Sequence, residues 1–444
     1  MPYTEKRGDG PYPWRVRWLL PARGPKGQKM YGSQPGFADE ETAHNYGLDM
    51  ESDIRRGKYK DPKLGATLFA DWVAEWFEAK KRGLRTKANW EKDLRIHILP
   101  AFGATPLRDI DWWLVSNWAE EQTCARVSTS HRVTLMSQIL NGAVDAKKVD
   151  TNPLQGRRLG GTPERRPEKT WPTPVQALQI ANRLGRIHET QLRPNGMLRK
   201  KAGVDEELSR VLSLLAHLFG WTGMRSSEAY GLHKDNCGLW RRDIVDGKPW
   251  RRRVIVIDPL AGQLISYYDR NARKTLRTLG APKPPNGARE IDLPPFLADM
   301  LDAHLADWPY DYPFCTSGGD WLQIPVVDER FGRAAAGRPA RAQSKGYAAL
   351  DAQEPILLNS SPHGYRHAHQ TWMIEDGIPW VMRCDRLGHS KDGPDREGNR
   401  EGGIQGRYSH PTPAMRKRVV EAMQTRYETA VAQLAASGGA AAAI

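Results

Sequence analysis

The stretch SPHGYRHAHQTWMIEDGIP, residues 361–379, decides how the chain reads. Ser361 followed by Pro362 marks a helix start: a serine oxygen caps free N–H groups, and proline is tolerated at the first helical position. On that helix His363 and Arg366 lie three residues apart and share a face. An imidazole and a guanidinium on one face suit an anionic oxygen. His367 and His369 stand nearby, so a metal has to be weighed. Zinc asks for an i, i+4 cluster with further ligands, and neither an HExxH spacing nor a cysteine partner is present, so no metal is expected.

Working outward, TGMRSSEAYGL (222–232) puts Arg225 just past a glycine bend between two helices. There it can offer a rigid fork to a phosphate, although the same residues make an ordinary helix start. The segment RTLGAPKPPNGAREIDLP (277–294) reads as a short hairpin with PNG at its turn. Lys283 at the tip is either a proton donor reaching outward or one more solvated lysine. Downstream, LGHSKDGPDREGNREGGIQGRYSHPTP (387–413) holds His389 and, after a polar glycine-rich loop, Tyr408, a tyrosine with no obvious core role.

The rest of the chain sets these motifs in context. Its 444 residues exceed one ordinary domain, and 39% hydrophobic content supports globular cores. A net charge of +14 favours a polyanionic partner, nucleic acid before anionic membrane, with a solvated basic surface as the plainer alternative. No apolar run reaches the ~18–20 residues of a membrane span, and the N-terminus lacks a secretory signal. Four scattered cysteines without CxxC spacing suit a reducing compartment, so a cytoplasmic location without membrane attachment is expected.

Three blocks separate. In residues 1–60, Trp14, Val16 and Trp18 alternate with Arg15 and Arg17, a strand with a basic face; a second strand lies near Met30 and Tyr31. A helix over 39–56 carries Ala43, Tyr46, Met50 and Ile54 on one side. Residues 65–155 read as helical: Phe69, Trp72, Val73 and Trp76 form a stripe, and further helices cover 86–98 (stopping at Pro100), 112–123 and 128–147. Residues 156–173 have linker composition. Residues 174–444 mix helices at 175–186, 206–221, 296–306, 365–376 and 380–387 with a basic strand in WRRRVIVIDP, and end in an apolar-faced tail helix. The expected fold class is α+β, mainly α.

Taken in order, TGMRSSEAYGL, PKPPNGAR, HGYRH, LGH and RYSH resemble the catalytic domain of tyrosine recombinases, phage and mobile-element integrases being the nearest group. WEKDLRIHILPAFGATPLRDI (90–110) resembles their helical core-binding domain, and WRVRWLL with its following helix is similar to the small arm-binding sheet domain some carry. The resemblance implies that Arg225, Lys283, His363, Arg366 and His389 are catalytic, that Glu228 buttresses Arg225, and that Tyr408 is the nucleophile. It implies a 3′-phosphotyrosine intermediate without ATP or a metal cofactor, and double-stranded DNA attachment sites contacted in part by Arg15 and Arg17. A homo-tetramer on DNA is implied, with a host DNA-bending protein and an excision directionality factor as candidate partners. A recombinase for plasmid or chromosome dimer resolution, a type IB topoisomerase and a DNA-binding repressor are the alternatives. The insertion KDGPDREGNREGG before Tyr408 departs from the family pattern. The tail helix either docks on a neighbouring protomer or packs on its own domain.

Overall fold

The computed structural model describes residues 1–23, 28–59, 64–160, 170–199, 203–283, 285–390 and 410–437. Two compact units, Met1–Arg165 and Arg166–Ile444, divide the chain.

In the first unit, β1 (Tyr3–Lys6), β2 (Trp14–Arg23) and β3 (Lys29–Phe37) form an antiparallel sheet in that order. The alternation in β2 buries Val16 and Trp18 against Ala43 of α1 (Glu40–Arg55), a helix capped by the Asp39 carboxylate on the Thr42 N–H. Arg15 and Arg17 take the opposite face. Arg15 Nη1 pairs with Glu5 at 3.1 Å, and the Arg17 guanidinium lies 5.2 Å from the Tyr31 ring centre. The four residues of β1 are too few for alternation to register in sequence.

A separate core follows, enclosed by α2 (Phe69–Ala79), α3 (Leu84–Asp93), α4 (Leu99–Phe102), α5 (Trp112–Glu120) and α6 (Arg126–Asp145). Phe69, Trp72, Trp76, Ile98, Phe102 and Ile139 fill it. Pro100 does not stop the helix as expected. A π turn, Leu94–Ile98, precedes it, so Pro100 falls in the first turn of α4, where a missing N–H is tolerated.

In the second unit α8 (Glu206–Thr222) is buried on nearly every side, with Val211, Leu215, Phe219 and Trp221 inaccessible. Packed around it are α7 (Pro174–Gly185), α10 (Pro295–Ala306) and α12 (Pro362–Glu375). The short α9 (Ser226–Tyr230), α11 (Ile324–Ala336), α13 (Trp380–Leu387) and α14 (Pro413–Ala436) complete the helices described. Strands β4 (Leu239–Val245), β5 (Lys248–Ile257) and β8 (Arg289–Leu293) make one antiparallel sheet, and β6 (Gln263–Asp269) with β7 (Lys274–Gly280) another. The fold is thus mixed, mainly helical, with small antiparallel sheets.

One expectation is corrected here. Residues 277–294 are not a hairpin, because β7 pairs with β6 whereas β8 pairs with β5. Pro282, Pro284 and Pro285 lack the N–H groups that ladder pairing needs, so the chain changes sheets across a 3-10 turn at Pro285–Gly287. Lys283 is exposed on that connection.

Helix α14 packs on its own unit. Val419, Met423, Ala430 and Leu434 are buried, Tyr427 stacks on Phe296 with ring centres 3.6 Å apart, and Arg426 pairs with Asp376 at 2.7 Å. No helix among the described residues is long and apolar enough to cross a membrane.

Candidate active site

The site starts where α8 stops. Gly223 ends the helix in the left-handed conformation at φ +65°, and a side chain there would strike His369 and Leu387 at 2.7 Å. Glycine therefore both terminates α8 and lets α12 and α13 approach it. Two residues later Arg225 caps α9. Its backbone N–H donates to Glu228 Oε2 at 2.9 Å and its Nη1 to Oε1 at 2.7 Å.

Glu228 is only 1% exposed and serves a second arginine. Arg289 Nη1 donates to Oε1 at 3.0 Å and Nη2 to Oε2 at 2.9 Å. Each carboxylate oxygen thus accepts two charge-assisted bonds, the strongest kind available to a buried carboxylate. Burial by itself would raise its pKa, but Arg289 and then Arg225 outweigh that and hold the carboxyl below its ordinary value.

Arg366, on α12, is 5% exposed. Its Nη1 donates to the Gly223 carbonyl at 2.7 Å, and its Nη2 to the Leu387 carbonyl at 2.5 Å and to His389 Nε2 at 2.8 Å. A guanidinium only donates, so Nε2 of His389 accepts and the imidazole proton sits on Nδ1. Burial, followed by the charge of Arg225, pushes the Arg366 pKa down to about 9. The nearby Glu228 carboxylate offsets this only in part.

The C-terminal end of α13 is the meeting point. Arg225 Nη2 donates to the Gly388 carbonyl at 3.3 Å. Gly388 has φ +63°, and a side chain on it would meet Arg289 Nη1 at 2.9 Å and the Asn286 carbonyl at 3.0 Å. The connection that carries Lys283 therefore runs against Gly388, although Lys283 itself points into solvent. His363 is exposed one turn before Arg366, its ring edge-on to His367 with centres 4.9 Å apart. The structure thus pairs Arg225 with Glu228 and Arg366 with His389, and the two pairs meet at the Leu387 and Gly388 carbonyls. Tyr408 lies outside the described residues, and Arg15 and Arg17 belong to the other unit.

Sequence reasoning missed the layer beneath. Arg289 was inside a quoted motif but not singled out; its signal is a buried strand, REIDL, that carries charges which only ion pairs can justify. Fully buried Arg386 donates Nε to His369 Nε2 at 2.9 Å, Nη1 to the Asp292 carbonyl at 3.0 Å and Nη2 to the Trp221 carbonyl at 2.8 Å. His369 Nδ1 donates to the Gly220 carbonyl at 2.9 Å, and burial followed by Arg386 drives its pKa well below the ordinary histidine value. Both His369 nitrogens are thereby engaged. Among the described residues no three His, Cys, Asp or Glu side chains are grouped to hold a metal ion.

Two arginines from distant motifs and a histidine thus converge on the C-terminal end of α13. No protein-family model matches the chain. It is similar to a protein of Mycobacterium tuberculosis strain H37Rv named as a prophage phiRv2 integrase, 25% identical over 385 residues that cover 85% of this chain and 87% of that protein. An integrase of Streptomyces ambofaciens is 24% identical over 404 residues, covering 88% and 91%. Among solved structures, the integrase of transposon Tn1549 in complex with transposon right-end DNA shares the fold, with a TM-score of 0.51 at 16% identity over 83% of this chain and all of that one. The chain is thus similar over most of its length to proteins named as integrases, and it shares the fold of the Tn1549 integrase.

Proposed function

We propose that the chain is a site-specific DNA integrase that cuts and rejoins DNA through a 3′-phosphotyrosine on Tyr408, inserting or excising a phage or other mobile element. The observation that carries this reading is the convergence of Arg225, Arg366 and His389 at the end of α13, held by the buried Glu228. The integrase names of the relatives and the DNA bound in the Tn1549 structure support DNA as the substrate.

The chemistry follows from the groups present. Arg225 and Arg366 take the non-bridging oxygens, where charge accumulates in the pentacovalent transition state. Tyr408 Oη forms a bond to phosphorus while the bond to the 5′-oxygen breaks. The phenol proton passes to His363, and the leaving 5′-oxygen receives one from Lys283. His389 hydrogen-bonds the phosphate. The phosphotyrosine keeps the bond energy, so a partner's 5′-hydroxyl reseals the strand without ATP, and the arginines supply the neutralising charge.

Residues 1–60 would grip an arm site and residues 65–155 the core site, while 174–444 perform cleavage within a tetramer on DNA. The sheet unit favours integration over dimer resolution, because holding two sites with one chain raises their effective concentration. Arg15 and Arg17 on the outer face of β2 are the proposed arm contacts. The test is a nicked suicide duplex of the element's crossover site incubated with the protein in EDTA. A covalent protein–DNA adduct is expected. No adduct, or one that appears only when a divalent metal is restored, would overturn the reading.

A further inference from the structure

Beyond the arginine cluster, an aromatic stack reaches His363 from a part of the sequence the mechanism does not use. The indole of Trp171 lies face to face on the imidazole of His367, ring centres 4.3 Å apart and planes 16° from parallel. His367 in turn meets His363 at 89°, an edge-to-face contact with centres 4.9 Å apart. The three rings form one continuous series ending at the residue assigned as base.

Trp171 is well placed to hold such a series. It stands two residues before Thr173, whose side chain and that of Gln176 form a reciprocal capping box at the start of α7. Gln176 Nε2 also donates to the Ile356 carbonyl at 3.1 Å, tying this corner to the segment that leads into α12. The indole is half-buried against the main core, and Gly364 lies beneath it: a side chain there would be 3.6 Å from the ring. His363, by contrast, is exposed in the first turn of α12. The edge-to-face contact with His367 restricts which of the staggered rotamers His363 adopts.

We propose that Trp171 is a positioning residue for His363, acting through the ring of His367. It rests on the reading of His363 as the base that takes the tyrosine proton. The flat face of His367, fixed by the indole, selects the rotamer of His363 that stands edge-on to it. An aromatic contact of this kind biases a rotamer population by roughly three- to tenfold.

Single-turnover cleavage of the suicide duplex by the full chain, with DNA affinity measured by anisotropy, tests this. At a temperature well below the melting point of each variant, Trp171→Ala and His367→Ala should each slow cleavage roughly three- to tenfold at unchanged affinity. Trp171→Phe and His367→Phe, which keep a flat ring, should restore most of the rate. In a His363→Ala background, Trp171→Ala should add nothing, because the group it positions is gone. An additive defect in that background would overturn the inference, as would a rate loss accounted for by lost affinity or by the unfolded fraction at the assay temperature. Inactivity of His367→Phe would also overturn it, since the nitrogens of His367 rather than its ring would then matter. A wild-type rate for His363→Ala alone would refute the assignment of the base, and the positioning role with it; that result is read on the single variant and is distinct from the others.

Discussion

Replacing Glu228 with glutamine probes the centre of the site without changing its shape. Both carboxylate oxygens accept two donors: Oε1 from the Nη1 atoms of Arg225 and Arg289, Oε2 from the Arg225 backbone N–H and Arg289 Nη2. Whichever way the amide is turned, its NH₂ faces two donors, and two bonds are lost. At about 1.5–3 kcal/mol for each hydrogen bond to a charged group, the loss is about 3–6 kcal/mol. That agrees with the about 3–5 kcal/mol typical of breaking a buried ion pair, since Arg289, 4% exposed, would be left uncompensated. At about 2–4 °C per kcal/mol for a unit of this size, the catalytic unit should melt roughly 6–24 °C lower. Cleavage should fall as well, because Arg225 loses the group that aims it. Differential scanning fluorimetry gives the first quantity and suicide-duplex cleavage the second. A variant melting within roughly 2 °C of the parent, under about 1 kcal/mol, would refute the account of Glu228 as the hub.

Two further expectations follow. Burial holds His217 neutral with its pKa lowered to about 4, and burial followed by the charge of Arg386 holds His369 well below the ordinary histidine value. Both are depressed, so the unfolded chain takes up protons first; their contribution is complete above the ordinary value of 6.5 and is lost as pH falls through the window toward about 4. Denaturant midpoints should drop over that window, and His217→Gln should flatten the slope by up to about 1.4 kcal/mol per pH unit; an unchanged slope would contradict the assignment. Lys283→Ala should slow cleavage of ordinary DNA but be rescued on a 5′-bridging phosphorothiolate, whose thiolate leaves without a proton. Equal defects on both substrates would show that Lys283 is not the acid.

Much of the fold was legible because it rests on local patterns. The alternation of Trp14, Val16 and Trp18 and the Ser361-Pro362 start of α12 both appear where periodicity and capping put them. What sequence could not give was partnership between distant strands. The proline-rich connection around Lys283 looked like a hairpin because its flanks are strands, yet their partners, β6 and β5, lie earlier in the chain. Likewise Arg289 and Arg386 looked like unremarkable polar residues, and His369 was weighed only as a metal ligand. Their importance comes from burial, which no local pattern announces: Arg386 and His369 bond each other across α12 and α13. The Arg225–Glu228 pair was expected only through the family resemblance, and the structure forms it within one turn.

The central claim is that Tyr408 forms the covalent bond to DNA. Wild-type protein trapped on the suicide duplex, digested and sequenced by mass spectrometry, should carry the nucleotide on Tyr408. Tyr408→Phe should bind the same duplex with unchanged affinity and give no adduct, since only one hydroxyl is lost. An adduct formed by the Phe variant, or a nucleotide found on any other residue, would contradict the account.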